Sequence, residues 1–224
     1  MYNIFSQVIK ETVKITLAGN IFFNGSIIDL SKEIVVLFNG KDYIYIPMEH
    51  IENVSIDQDE EIIQQPTNFP SVISKDDKND FSLTYMLNEA IGMYTEIYVA
   101  NRQPIHGTIT QVQSNYFVFH SPIYKTMYIA TKHLKWLIPY TENQKPYTLT
   151  DDELKVSEKK GTLPQHFEHL VHSMRDKLVV VNLGEKPYHL GKISNVHGAI
   201  IELQTARTNT TYLNLEHIKT IHES

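Results

Sequence analysis

The spacing of apolar and polar residues changes period along this chain in an ordered way, and the change recurs three times. In "HFEHLVHSM", Phe167, Leu170, Val171 and Met174 fall at steps of three, one and three, which predicts a short amphipathic helix. "FSLTYMLNEAIGMY" repeats the pattern with Leu83, Met86, Leu87, Ala90 and Ile91, and Ser82 stands where an N-cap belongs. "IFSQVI", near the start, is a shorter version. Each stretch gives way to runs rich in β-branched residues: "TVKITLAG", "EIYVANR" and "KLVVVNLG", then "IVVL", "YFVF" and "IIEL". Such runs predict strands.

The three sets are copies of one unit. "YIPMEHIENV", "YIATKHLKWL" and "YLNLEHIKTI" each place a tyrosine (Tyr45, Tyr128, Tyr212) five residues before a histidine (His50, His133, His217). Gly25, Gly107 and Gly191 precede those histidines by 25, 26 and 26 residues, and Ile27, Ile109 and Ile193 follow the glycines by two. Fixed spacing with divergent sequence is the mark of internal repetition. The glycine falls at the second strand, where a missing side chain permits a bend or bulge. The Tyr-to-His phrase reads as a last strand entering a turn, with Val54, Leu137 and Ile221 returning to the core. Packing accounts for the three tyrosines. The fold expected is mainly β: three tandem small SH3-like or Sm-like β-barrels, each preceded by a short helix. Modules are assigned to residues 1–57, 82–140 and 163–224. Linkers fall at 58–81 and 141–162, where prolines and acids cluster, and "TLTDDELKVSEKK" has the makings of a short helix capped by Thr150.

Composition narrows the function. No apolar run approaches the ~20 residues that cross a bilayer, and "MYNIFSQVIKE" lacks the form of a secretory signal, so synthesis in a cytoplasm is expected. With no cysteine among 224 residues, disulfides, thiolate metal sites and cysteine nucleophiles are excluded. There is no Gly-rich phosphate loop, nucleophile elbow or H-E-x-x-H motif, and no paired carboxylates recur. No enzyme, cofactor or small-molecule substrate is expected. His166, His169 and His172 have a spacing that could ligate a metal, but they read as surface residues. The repeat histidines, with glutamate before two and Lys132 before the third, read as turn residues that bond a nearby carbonyl. Of the other tyrosines, Tyr94, Tyr98, Tyr124, Tyr140, Tyr147 and Tyr188 are candidates for exposed contact residues, which would suit a peptide-binding adaptor.

The formal net charge is −6, against what phosphate binding asks for. Residues 82–140 alone are positive, with four basic and two acidic side chains. "TKHLKWLIP", in that module, resembles the last-strand segment of the bacterial Sm-like RNA chaperone, where a Lys-His pair contacts uridine-rich RNA. The alternative function is therefore an Sm-like RNA binder acting through Lys132, His133 and Lys135.

A wider resemblance covers most of the chain. "LVHSMRDKLVVVNLGEKPYHLGKI" and "TYLNLEHIKTIHE" resemble the repeat of the outer-coat protein B family of bacterial endospores. His172, Ser173, Met174, Asp176 and Lys177 match its opening. Tyr212, Leu215, Glu216, His217, Ile218, Lys219, Thr220 and Ile221 match its ending. The first two modules match loosely. The resemblance implies three copies in tandem and a structural component of the spore coat, made in the mother cell and laid on the forespore. Its partners would be other coat proteins, or further copies of itself. Well-known members of that family carry a Ser/Lys/Arg-rich tail phosphorylated by a coat kinase. This sequence stops at "HES", which leaves open a tail-less member or a truncated one.

Overall fold

The structure is a computed structural model; it describes residues 5–9, 11–56, 81–99, 103–140, 144, 146–150, 161–207 and 209–224. The first copy has strands β1 (Thr12–Leu17), β2 (Ile21–Leu30), β3 (Ile34–Phe38), β4 (Tyr43–Pro47) and β5 (Ile51–Ile56). The middle copy has helix α1 (Leu83–Glu89) and strands β6 (Tyr94–Tyr98), β7 (Ile105–Val112), β8 (Tyr116–Ser121), β9 (Lys125–Ala130) and β10 (Trp136–Pro139). The third has helix α2 (Phe167–Ser173) and strands β11 (Leu178–Val181), β12 (Leu190–His197), β13 (Ile200–Gln204), β14 (Thr210–Asn214) and β15 (Thr220–Glu223). The protein is mainly β, and the strand pairings are antiparallel.

The chain forms two compact units, one of residues 1–97 and 135–142, the other of residues 98–134 and 143–224. In the first unit the strands run β6-β10-β4-β3-β2-β1-β5; in the second, β14-β13-β12-β11-β15-β9-β8-β7. The first and third copies therefore share one order, with the fifth strand beside the first and the rest following as a meander. The middle copy contributes strands to both units.

The glycines sit in equivalent surroundings. A methyl group on Gly25 would run into the carbonyl oxygen of Phe38, on Gly107 into that of His120, and on Gly191 into that of Gln204. Close approach of the neighbouring backbone is thus the reason for glycine. The expected irregularity follows at the same place each time: the register shifts between Ile27 and Asp29, between Ile109 and Gln111, and between Ile193 and Asn195. One extra residue there bends the strand and sharpens its twist, so that a sheet this small can wrap a core.

Each unit has its own interior. In the second, Phe167, Leu170, Val171 and Met174 of the α2 segment are buried against Val179, Ile193, Ile201, Leu203 and Ile221. Burial of side chains this size contributes roughly 1.5–3 kcal/mol each before entropy is charged. The same cluster takes in Tyr116, Val118 and Ala130 of the middle copy, so the interior of the third copy is not closed at its own boundary. α2 lacks a cap from His166; instead Asn115 accepts from the Phe167 N–H at 2.8 Å, and the Tyr116 hydroxyl donates to Pro164 O at 2.5 Å. Burial pushes the Tyr116 phenol up to about 12.

In the first unit Ser82 does cap α1, accepting from the Tyr85 N–H at 3.1 Å, and Glu33 accepts from the Leu83 N–H at 2.8 Å. Met86, Leu87 and Ala90 are buried, but Ile91 lies past the helix end and is exposed. Trp136 is buried edge-on to Phe23, ring centroids 5.0 Å apart. The expected first helix reaches Phe5, which is buried, and residues 6–9 are turns; its start lies outside the described residues, as does most of the helix expected after Thr150. Phe81, placed at the end of a linker by sequence, is buried. The Phe167 face demanded a partner that its own strands only partly supply.

Candidate functional site

The repeat signature converges on one recurring joint. In each copy the fourth strand leads through a single 3₁₀ turn (Met48–His50, Thr131–His133, Leu215–His217) into the fifth. The fifth strand of one copy then pairs with the fourth strand of the copy before it. β15 pairs with β9, placing Ile221 opposite Tyr128 and Thr220 opposite Ile129. β10 pairs with β4, placing Leu137 opposite Tyr45. The aliphatic residue that closes the repeat phrase thus meets the tyrosine that opens it in the preceding copy.

Side chains reinforce the β9–β15 joint. Lys132 and Glu216 form an ion pair, and the hydrogen bond from Lys132 holds the Glu216 carboxyl below the usual carboxylate range. The His133 ring bonds Glu216 O through Nε2 at 3.0 Å, the role expected of a turn histidine. Ala130 N–H donates to Lys219 O at 3.0 Å. Buried Asn182 fixes the start of the fifth strand: it accepts from the Lys219 and Thr220 N–H groups at 2.7 and 3.3 Å, and donates to His217 O at 3.2 Å. Asn182 has φ 47°, a left-handed conformation that asparagine tolerates better than most residues. Sequence reasoning missed Asn182; an asparagine before "LG" was the available signal. The Lys132–Glu216 pair spans 84 residues, and no local pattern announces it.

The three tyrosines differ. Tyr45 is fully buried, Tyr128 is half-buried, and Tyr212 is 65% exposed. Packing explains the first two; the expectation that it explains all three is corrected at Tyr212, because β14 ends the strand order and has β13 as its sole strand neighbour among the described residues. Val54 likewise stays half-buried on β5, whereas Leu137 and Ile221 are buried.

The remaining candidates do not assemble into a centre. His50 lies 3.7 Å from the Glu49 carboxylate in the first unit; His217 offers its backbone carbonyl to Asn182. His166, His169 and His172 are exposed, with the first two rings edge to face at 5.8 Å. Among the described residues no three His, Asp or Glu side chains come together as metal ligands. Lys132 is spent on Glu216, and Lys135 donates to Ala18 O. Of the tyrosines expected at the surface, Tyr147 and Tyr188 are exposed, while Tyr94, Tyr98, Tyr124 and Tyr140 are half-buried. Tyr124, Tyr147, His106 and Ile123 line one shallow open groove in the second unit. Among the described residues no helix is long and apolar enough to cross a membrane.

These features define a tandem β-repeat protein whose signature residues join one copy to the next. Residues 166–221 match the family model of the YwrJ third domain, which falls inside the third copy. The uncharacterized protein YwrJ of Bacillus subtilis strain 168 is 34% identical over 223 residues, covering 97% of each chain. The chain belongs to the YwrJ family.

Proposed function

We propose that this protein is a non-enzymatic structural protein of the bacterial spore coat that works through protein–protein contacts. The observation that carries this reading is the use made of the repeat signature. Tyr45 and Tyr128, with Leu137 and Ile221, build strand joints, and Glu216 closes one of them with Lys132. Residues invested in joining β-units suit a protein whose task is assembly. The coat is indicated by the likeness of the third copy to the outer-coat protein B repeat, from His172 to Lys177 and from Tyr212 to Ile221. Its partners are then other coat proteins, met by several weak faces on one chain, where tethering raises the effective concentration for each further contact.

RNA binding through Lys132, His133 and Lys135 is the weaker reading, since both lysines already have partners. A fluorescent fusion followed through sporulation tests the proposal. A ring of signal around the forespore is expected; diffuse signal in the mother cell throughout coat formation would refute it.

A further inference from the structure

Among the described residues the chain uses one joint twice, fifth strand against preceding fourth strand, and leaves one of each unused. Among the described residues β5 has β1 as its strand neighbour and nothing on its other side, and β14 has β13 alone. β5 is a fifth strand and β14 a fourth strand. We infer that β5 of one molecule pairs antiparallel with β14 of another, so that the protein associates head to tail with copies of itself. This names a partner surface for the assembly role proposed above and rests on that reading for its biological setting alone.

Repeat equivalence fixes the register. Leu137 faces Tyr45 and Ile221 faces Tyr128, so Val54 faces Tyr212. The exposures agree. The signature tyrosine is 0% exposed at Tyr45 and half-buried at Tyr128, the two that a fifth strand covers, and 65% exposed at Tyr212; Ile56, two residues beyond Val54 on the same face, is 49% exposed. Joining the edges would lay the Tyr212 ring across Val54 and its diagonal neighbour Ile56, within the reach of aromatic cross-strand contacts. The hydrogen bonds follow too. Ala130 N–H donates to Lys219 O, which makes that pair hydrogen-bonded, and alternation makes Tyr128 and Ile221 another. By equivalence the N–H groups of Tyr212 and Val54 point away from their own sheets, ready for a partner strand.

The two patches are different and complementary, so the contact is heterologous rather than two-fold. Equivalence also brings Glu49 beside Glu216, acid against acid where the internal joint has Lys132. The joint between molecules is therefore weaker than the joint within one, and reversible.

The absence of cysteine permits a direct test. Ser55 and Thr211 form the next pair in this register, a non-hydrogen-bonded one with Cα atoms about 4.5 Å apart, inside the range a disulfide spans. Ser55→Cys and Thr211→Cys chains should form a mixed disulfide dimer on oxidation when combined, and little when each is oxidised alone. Sedimentation of the full chain should show concentration-dependent mass above the monomer. Tyr212→Lys should raise the midpoint concentration at least tenfold with an unchanged melt, since the side chain is exposed. Val54→Pro should do the same, because proline is tolerated on an edge strand where the lost N–H faces outward. A monomer up to about 1 mM, the range in which weak contacts still register, would overturn the inference. So would association indifferent to both substitutions, or cross-linking as strong in either single-variant sample. A monomer that still rings the forespore would refute this joint and leave the assembly role standing; a head-to-tail oligomer that stays diffuse would do the reverse.

Discussion

Replacing Gly107 by alanine adds one methyl group, and the structure sets what that methyl must displace. Its position falls on the His120 carbonyl oxygen, and the carbonyl carbon and the Phe119 ring lie at 2.9 Å. None of these is the loose end of a flexible side chain. Backbone must move, and β7 must part from β8 around Thr108 and His120, which are partners in the ladder. Overpacking of this kind costs about 1–3 kcal/mol. Losing one or two ladder hydrogen bonds adds roughly 0.5–1.5 kcal/mol each. Relief of glycine's unfolded-state entropy returns about 0.4–1 kcal/mol. Taken at mid-range these leave a net loss of about 3 kcal/mol, or a fall in Tm of roughly 6–12 °C for a chain of this size. Gly25→Ala and Gly191→Ala should behave alike, since their methyls meet the Phe38 and Gln204 carbonyls. Gly161→Ala is the control: no described residue lies within 4 Å of its added methyl, and its stability should stay within about 0.5 kcal/mol of the parent. Urea unfolding of the four variants, followed by circular dichroism, makes the comparison. If the repeat-glycine variants match the Gly161 variant, close backbone approach is not why glycine stands there, and the equivalence of the three copies loses its physical basis.

Two further outcomes are expected. Asn182→Ala should cost about 2–5 kcal/mol, because it strands the Lys219 and Thr220 N–H groups and puts alanine at a left-handed φ; Asn182→Gly should recover the backbone part alone, as thermal melts of the pair would show. Burial pushes His120, His189 and His222 below the ordinary histidine value of 6.5. The unfolded chain therefore takes up more protons as pH falls through 6.5, and stability, full above that value, declines from there toward the lowered folded values. Tm should drop between pH 7.5 and 5.5, and less so in a His222→Gln variant. A Tm flat or rising across that window would contradict the assignment.

What sequence could and could not reveal divides along the range of the interactions. The repeat spacing is legible because each glycine answers a demand made by the strand next to it, and the bulge after it is equally local. α2 is legible because its four apolar residues share one face. Ser82 reads correctly as a cap, whereas the cap of α2 comes from Asn115, 52 residues away, where no local signal points. The tyrosines show the limit most clearly. Tyr45 and Tyr212 hold the same place in their copies, and their fates differ because, among the described residues, one strand is covered and the other is not. That depends on which copy follows, a property of the array that no single repeat encodes. Lys132 looks like a nucleic-acid contact until Glu216, from the next copy, claims it.

Trp136 is the single tryptophan of the chain, and it is packed on Phe23 in the first compact unit. Its near-ultraviolet emission therefore watches that unit and is silent about the other. Far-ultraviolet ellipticity sums over both. Recorded together during heating, the two optical signals would tell whether the halves of the molecule melt as one cooperative body or in succession, without a label being attached.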